Sequence, residues 1–599
     1  MKRGSTGGIT ALRAWDADCI VFAAAYFITA ALSFNSLTAG SAFVKILAGL
    51  IMLWGTASVV RRLFMWNYIK KDKLFWLSVF FFVSAVISSL INIRYGFAGS
   101  LKMLVWMALE LFLLAANIER KACGNRSESA SADGRRSEGS ARRVMFSMLF
   151  AVTFCQSFIS VIMLIIGFSD AAIARGQYIG LQLGRLWGCY SDPNYGSVLA
   201  CCSIAVSIGE LSRRNVEKRR GFGNNTEAPC VGSSKLRRKY SITKNGQVDI
   251  ISVLLALNVV LQYIYIVFSY SRTGQICLAA VLLLFAYALA SDSLNSTGLK
   301  ARPGRSAESG RPDRQSLSAE SVRPGMQSLS AESGRPGRQS LSAESSSPAG
   351  TKSHVGAGGL GRIALWAAVF ALIVILAGPV MEWLRAGYNM IESSMSFSSG
   401  ESSFEVQTGE VSDWESIEED ALGSMNRSAT SDIVAAAPVF REDIQNGDLT
   451  NGRIEIWKEG LLIWKDNPVF GISYRNIAVY VREKLPDGYM TTRENELNTF
   501  HNMFVDILVG QGLPGELIAL AMAVVIMSRA AAFFRNDGGE AGSARLWSCV
   551  PAVLVLTIGL SSLALTEIFY INTPTAVLFW CCLSLMPATH VTQGHNKPA

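Results

Sequence analysis

Of the four histidines in the 599-residue sequence, only His501 lies where a long polar stretch, 385–500, runs into apolar sequence. Imidazole titrates closer to neutral pH than any other side chain and can take a proton from a hydroxyl. Two arginines occupy comparable places. Arg185 stands in GRLWGCYSDPN, beside an aromatic residue and glycines, and Arg272 stands in SYSRTG, between two closely spaced apolar runs. A guanidinium is planar, permanently charged and able to hold phosphate oxygens through paired hydrogen bonds. Arg453, in NGRIEIWKEGLLIWKDNPVFGIS, is a fourth candidate. A proton acceptor near anion-binding groups at a membrane surface is the arrangement these types suggest. The simpler alternatives are a structural histidine and arginines that snorkel to the interface. Snorkelling is the preferred account of Lys45, Arg94 and Lys102. Glu110, near the middle of an apolar run, is either functional or paired with Lys102 or another helix.

The elements that must carry these residues are membrane spans. Half of the residues are hydrophobic, 17% are charged, and the mean hydropathy is +0.30, a balance that fits a polytopic membrane protein rather than one soluble domain. At roughly 20 apolar residues per crossing, about twelve runs qualify. They lie near 19–37, 42–60, 75–93, 99–118, 144–167, 187–209, 250–268, 274–291, 362–384, 501–527, 548–565 and 567–586. Segment 61–74 holds five Lys/Arg against one acid, 119–143 seven against four, and 211–249 ten against three. These alternate loops belong in the cytoplasm by the positive-inside rule. Both termini then face the cytoplasm. The stretch 385–500, with ten Lys/Arg and twenty Asp/Glu, falls outside, as a large loop between the ninth and tenth spans. The expected fold is all-α. Lys2, Arg3 and Arg13 before the first run suit an uncleaved anchor.

The organisation follows. A cytoplasmic N-terminus (1–18) leads into six spans (19–249) and then spans seven to ten (250–527), followed by two more spans (548–586) and a tail (587–599). Residues 119–143 and 211–249 suit disordered linkers. A linker at 292–361 contains three copies of a 12-residue repeat, such as GRPGRQSLSAES, too short and polar for a solenoid. Within the outer loop, 391–432 is rich in Ser and Glu. Thr450 is a candidate N-cap for an amphipathic helix carrying Arg453, Trp457, Leu461 and Trp464, and Asn467-Pro468 should stop it. Plain packing accounts for the two tryptophans. Asp192-Pro193-Asn194 signals a helix start, with Asp192 and Asn194 as caps. The cysteines show no zinc spacing or disulfide framework, and the basic charge is topological, with no nucleic-acid motif beside it.

In the order GRLWGCYSDPN, SYSRTG, NGRIEIWKEGLLIWKDNPVFGIS and FHNMFVDILVGQGLPGELIAL, residues 180–527 resemble the O-antigen ligase and O-antigen polymerase superfamily. The resemblance implies a metal-independent, inverting membrane glycosyltransferase without cofactor. Its donor would be an undecaprenyl-diphosphate-linked glycan at the outer face of the cytoplasmic membrane, and its acceptor a glycan or lipid hydroxyl. It implies Arg185 and Arg272 on the diphosphate, His501 as catalytic base and Arg453 as an accessory of the outer cap. A chain-length regulator is an expected partner of a polymerase. The motifs do not separate polymerase from ligase. A lipid-glycan flippase is the alternative from another class, and it would show broken helices and midplane charges.

Overall fold

Proline 514 sits inside an apolar helix and cannot donate a backbone hydrogen bond, so one carbonyl of that helix must look elsewhere. The computed structural model shows where it looks. It describes residues 6–63, 73–114, 131–172, 177–223, 249–299, 378–391, 452–492, 498–535 and 543–586. The helices, in order, are α1 (Thr6–Ser33), α2 (Ala42–Leu63), α3 (Lys73–Ile91), α4 (Phe97–Ala108), α5 (Ser131–Ile165), α6 (Pro193–Gly223), α7 (Ile250–Phe268), α8 (Arg272–Leu299), α9 (378–391), α10 (Arg453–Asp466), α11 (Ile477–Lys484), α12 (Met503–Arg535), α13 (Ser543–Ser561) and α14 (Pro574–Ser584). A π-helical turn, Leu109–Leu114, continues α4.

Among the described residues, eight helices are long and apolar enough to cross a membrane, and three shorter apolar helices accompany them. This is a multi-pass membrane protein. The expected count of about twelve spans is not reproduced as twelve full-length helices. The ninth expected span, 362–384, lies mostly outside the described residues. The last two runs become α13 and the 11-residue α14, which at 1.5 Å per residue reaches only about half a bilayer. Between them, 562–573 is irregular. Its backbone is satisfied from within the protein, as non-helical chain at membrane depth requires: Ser562 O accepts from Met503 N at 3.0 Å, Thr566 O from Tyr195 Oη at 2.9 Å, and Ile568 O from Trp580 Nε1 at 3.0 Å.

The helices of 131–143 and 211–223 also correct the expected disordered linkers. Extending a helix already nucleated by an apolar span needs one hydrogen bond per residue fixed, and Arg214 pairs with Glu210 one turn away at 2.9 Å. The 301–350 repeats, the acidic stretch 392–432 and Thr450 lie outside the described residues.

The all-α expectation needs a second correction. Three strands, β1 (Ser169–Ala172), β2 (Gln177–Gln182) and β3 (Arg185–Gly188), form an antiparallel sheet in the order β1-β2-β3. Leu183 and Gly184 both have positive φ, 52° and 65°, as the tight two-residue hairpin turn requires. The strand docks on α5, where Cys189 N donates to Ser160 Oγ at 3.0 Å.

α12 is broken at Gly512, with φ 71° and ψ −171°. The loop preceding α11 fills the break. Val509 O accepts from Ile472 N at 2.9 Å and Gly510 O from Ser473 N at 2.9 Å, while Leu513 N donates to Pro468 O at 2.8 Å. Ser88 Oγ of α3 also donates to Gly510 O, at 2.6 Å. This cap segment is thus stitched into the membrane helix by an exchange of backbone hydrogen bonds. Gly512 is required twice over, by its φ and because a Cβ there would lie 2.3 Å from Val469 O. Gly512→Ala should lower the melting temperature by several degrees, in line with about 1–3 kcal/mol of backbone strain. Gly559→Ala in α13, where a Cβ meets nothing within 4 Å, should leave it unchanged or raise it. Thermal unfolding in detergent compares the two.

Candidate functional site

The hairpin that begins at Leu183 delivers Arg185 as the first residue of β3. Its side chain is half-buried, with Nε donating to Ser269 O at 2.9 Å and Nη2 to Asn194 Oδ1 at 3.2 Å. Ser269 caps the C-terminus of α7, and Arg272 opens α8 three residues later. Arg185 therefore reaches the turn from which Arg272 opens α8. Ser197 Oγ and Ser269 Oγ lie 2.8 Å apart, Ser271 N donates to Ser269 Oγ at 3.3 Å, and Ser271 Oγ accepts from Gly274 N at 3.0 Å.

Asp192 does start α6, its Oδ1 accepting from Asn194 N at 2.6 Å and Tyr195 N at 3.4 Å. Asn194 is not the cap expected of it. Its side-chain oxygen is taken by Arg185, a partner nine residues away in sequence.

From Asn194, hydrogen bonds joined by short stretches of chain lead to the backbone of His501. Tyr195 Oη donates to Thr566 O at 2.9 Å. Thr566 Oγ1 donates to Asp506, which also accepts from Thr499 Oγ1 at 2.8 Å and from Phe500 N at 2.9 Å. Thr499 Oγ1 in turn accepts from His501 N at 3.2 Å. His501 is half-buried and holds a left-handed backbone, φ 50°, which histidine adopts more readily than most residues. Asn502 Oδ1 caps the first turn of α12 through Phe504 N at 3.0 Å. Tyr474 closes the cluster from the cap side. Burial pushes its phenol well above its ordinary value. Its ring stacks on Tyr570 at 4.4 Å.

α10 lies over this loop. Trp457 Nε1 donates to Phe500 O at 2.9 Å, and Gly460 packs so closely that a Cβ would come within 3.0 Å of the Phe500 ring. Arg453 is one turn before Trp457 and on the same face. The buried side of α10 centres on Ile456, Gly460 and Ile463, whereas Leu461 is 43% exposed. The predicted stripe was therefore one position off, although Asn467 ends the helix as expected. Gly452, left-handed at φ 71°, precedes Arg453.

Sequence reasoning did not pick out Asp506, Tyr195, Tyr474, Thr566 or Arg385. An acid five residues into an apolar span was a usable signal for Asp506. Glu110 stands apart from this site. It accepts from Tyr26 Oη of α1 at 3.2 Å, and Tyr26 stacks on Trp106 at 5.1 Å. Lys102, the partner considered for it, is exposed.

Asp506→Ala would leave two buried donors, Phe500 N and Thr566 Oγ1, and the half-buried Thr499 hydroxyl without their acceptor, at roughly 1–3 kcal/mol. The amides of Phe500 and His501 should exchange about tenfold faster with solvent, measured by hydrogen–deuterium exchange in nanodiscs.

No curated protein matches the chain. Residues 353–520 match the family model described as O-antigen ligase. The span is narrower than the resemblance at 180–527 and includes Arg453 and His501 but neither Arg185 nor Arg272. Over that span the match supports the resemblance to the O-antigen ligase and polymerase superfamily.

Proposed function

We propose that the protein is an inverting, metal-independent glycosyltransferase. It would move glycan from an undecaprenyl-diphosphate donor to an acceptor hydroxyl at the extracytoplasmic face of the cytoplasmic membrane, joining repeat units of a surface polysaccharide. The observation that carries this reading is that Arg185 is tied both to the turn that begins α8 at Arg272 and to Asn194, from which hydrogen bonds and short stretches of chain through Tyr195, Thr566, Asp506 and Thr499 lead to the backbone of His501. The N-termini of α6, α8 and α12 meet around it, and helix N-termini favour anions.

In this mechanism the acceptor oxygen bonds to the anomeric carbon while the bond from that carbon to the diphosphate oxygen breaks. The electron pair leaves on the diphosphate. Arg185 and Arg272 stabilise that charge as it develops, where stabilisation accelerates the step most. The acceptor proton passes to the imidazole of His501. Attack opposite the leaving group inverts the anomeric centre. Arg453, on the α10 face nearest the loop, contacts the glycan.

Two other readings have a specific observation behind them. A ligase that attaches finished glycan to a lipid, wall or protein acceptor fits the description of the matched family. A flippase gains from the break in α12, since transporters use broken helices. That break, however, is filled by cap backbone rather than lining a cavity.

His501→Ala should lower transfer by roughly 100- to 10,000-fold while expression and donor binding persist. Arg272→Ala should cost on the order of 100-fold, and Arg272→Lys should restore little, because the paired geometry is lost. A chemoenzymatic assay with lipid-linked repeat units measures both. Mass analysis of lipid-linked glycan after gene deletion separates the readings. Single repeats on lipid mark a polymerase, full-length chains on lipid a ligase, and donor trapped on the inner leaflet a flippase. Normal polymer from the His501→Ala protein would sink the assignment.

A further inference from the structure

The turn between α7 and α8 contains a strained residue. Tyr270 has φ +52°, a left-handed conformation that costs a non-glycine residue on the order of 1–2 kcal/mol. It lies between Ser269, whose carbonyl holds Arg185, and Ser271-Arg272. If Tyr270 relaxed to an ordinary backbone, the Ser269 carbonyl and the start of α8 would both swing. The geometry of the two arginines therefore depends on what keeps Tyr270 where it is.

Arg385 of α9, more than a hundred residues away in sequence, does this. Its guanidinium carbon sits 3.4 Å from the centroid of the Tyr270 ring. Its Nε donates to Val267 O at 2.7 Å, one of the carbonyls that the end of α7 leaves unpaired. Its Nη1 is held by Glu382 at 2.5 Å, one turn back on the same helix. The side chain is only 2% exposed, whereas that of Glu382 is 59% exposed. Nη2 is buried and has no hydrogen-bond partner among the described residues. A cation buried this deeply is costly where only one exposed acid offsets it. Stacking and the negative end of α7 supply the remaining compensation.

We propose that Arg385 is a positioning residue of the diphosphate-binding turn. By clamping Tyr270 against the C-terminus of α7, it fixes the Ser269 carbonyl that orients Arg185 and the first turn of α8 that presents Arg272. This inference rests on the glycosyl-transfer reading for its consequence, although not for its geometry. Arg385 acts through Tyr270 and does not contact the donor.

The test uses the full chain in nanodiscs with farnesyl diphosphate as probe and farnesol as its uncharged control. Arg385→Gln should speed amide exchange over 270–274 and weaken farnesyl diphosphate binding about tenfold, the loss of one charged hydrogen bond, with farnesol binding unchanged. Arg385→Lys keeps the charge but not the flat stack, and should fall between; it also serves if the glutamine variant fails to fold. Glycine adopts positive φ unaided, so in a Tyr270→Gly background Arg385→Gln should cost less than threefold. The proposal is overturned if Arg385→Gln leaves both exchange and diphosphate affinity unchanged, or if it costs the full tenfold without Tyr270. If the unsubstituted chain binds farnesyl diphosphate no better than farnesol, the glycosyl-transfer reading fails, and the exchange data still decide whether Arg385 sets the turn.

Discussion

The exchange of backbone hydrogen bonds at Gly510–Leu513 is the constraint on which the site depends. Pro514 withholds the hydrogen that Gly510 O would accept in a continuous helix. In hydrocarbon a bare carbonyl costs several kcal/mol, so the chain had to bring a donor. It brings two, Ser473 N from the cap and Ser88 Oγ from α3. What could have been a weak point becomes the joint between a polar lid and a membrane helix. His501 immediately precedes α12, and the half of α12 before the break carries Asp506, so the joint also fixes where the cap meets the loop that holds His501. Packing of α10 on Phe500 then adds a second attachment a few residues away.

A second joint of the same kind lies at the α7–α8 turn. There a helix end supplies the orphan carbonyls, and arginines from β3 and α9 take them. Each guanidinium spends part of its donor set on backbone, which locks its orientation. Arg185 is additionally held by Asn194. Positive groups fixed by short bonds need little reorganisation when a negative charge develops beside them, and that pre-organisation is where electrostatic catalysis gains most.

The sequence made the spans legible because membrane-length apolar runs have few alternatives, and 250–268 and 274–291 correspond closely to α7 and α8. Asp192-Pro193 and Asn467 marked helix ends through bonds that close within a few residues. What stayed hidden was settled by partners distant in sequence. The β2–β3 hairpin turns on Leu183 at positive φ, and leucine is no turn signal. Asn194 carried the composition of a cap, but Arg185 outcompeted the local amides for its oxygen. Residues 567–586 had the hydropathy of a span, yet buried polar partners from α6, α12 and α14 let 562–573 remain irregular and left α14 short. Arg385 looked like one more charge at the edge of a polar loop; only the fold reveals the helix end and ring it covers.

These joints bear on why the catalytic candidates are so scattered along the chain. Arg185, Arg272 and His501 sit on separate elements, and none would be placed by its own helix. Arg185 is set by a hairpin and the cap of α7. Arg272 follows a turn held by Tyr270. His501 sits on a left-handed residue pinned by Asp506 through Thr499. On the glycosyl-transfer reading proposed above, a lipid-linked donor enters from the bilayer while an acceptor arrives from the aqueous side. A site assembled from helix ends, with backbone groups as the fixed points, meets both at the boundary.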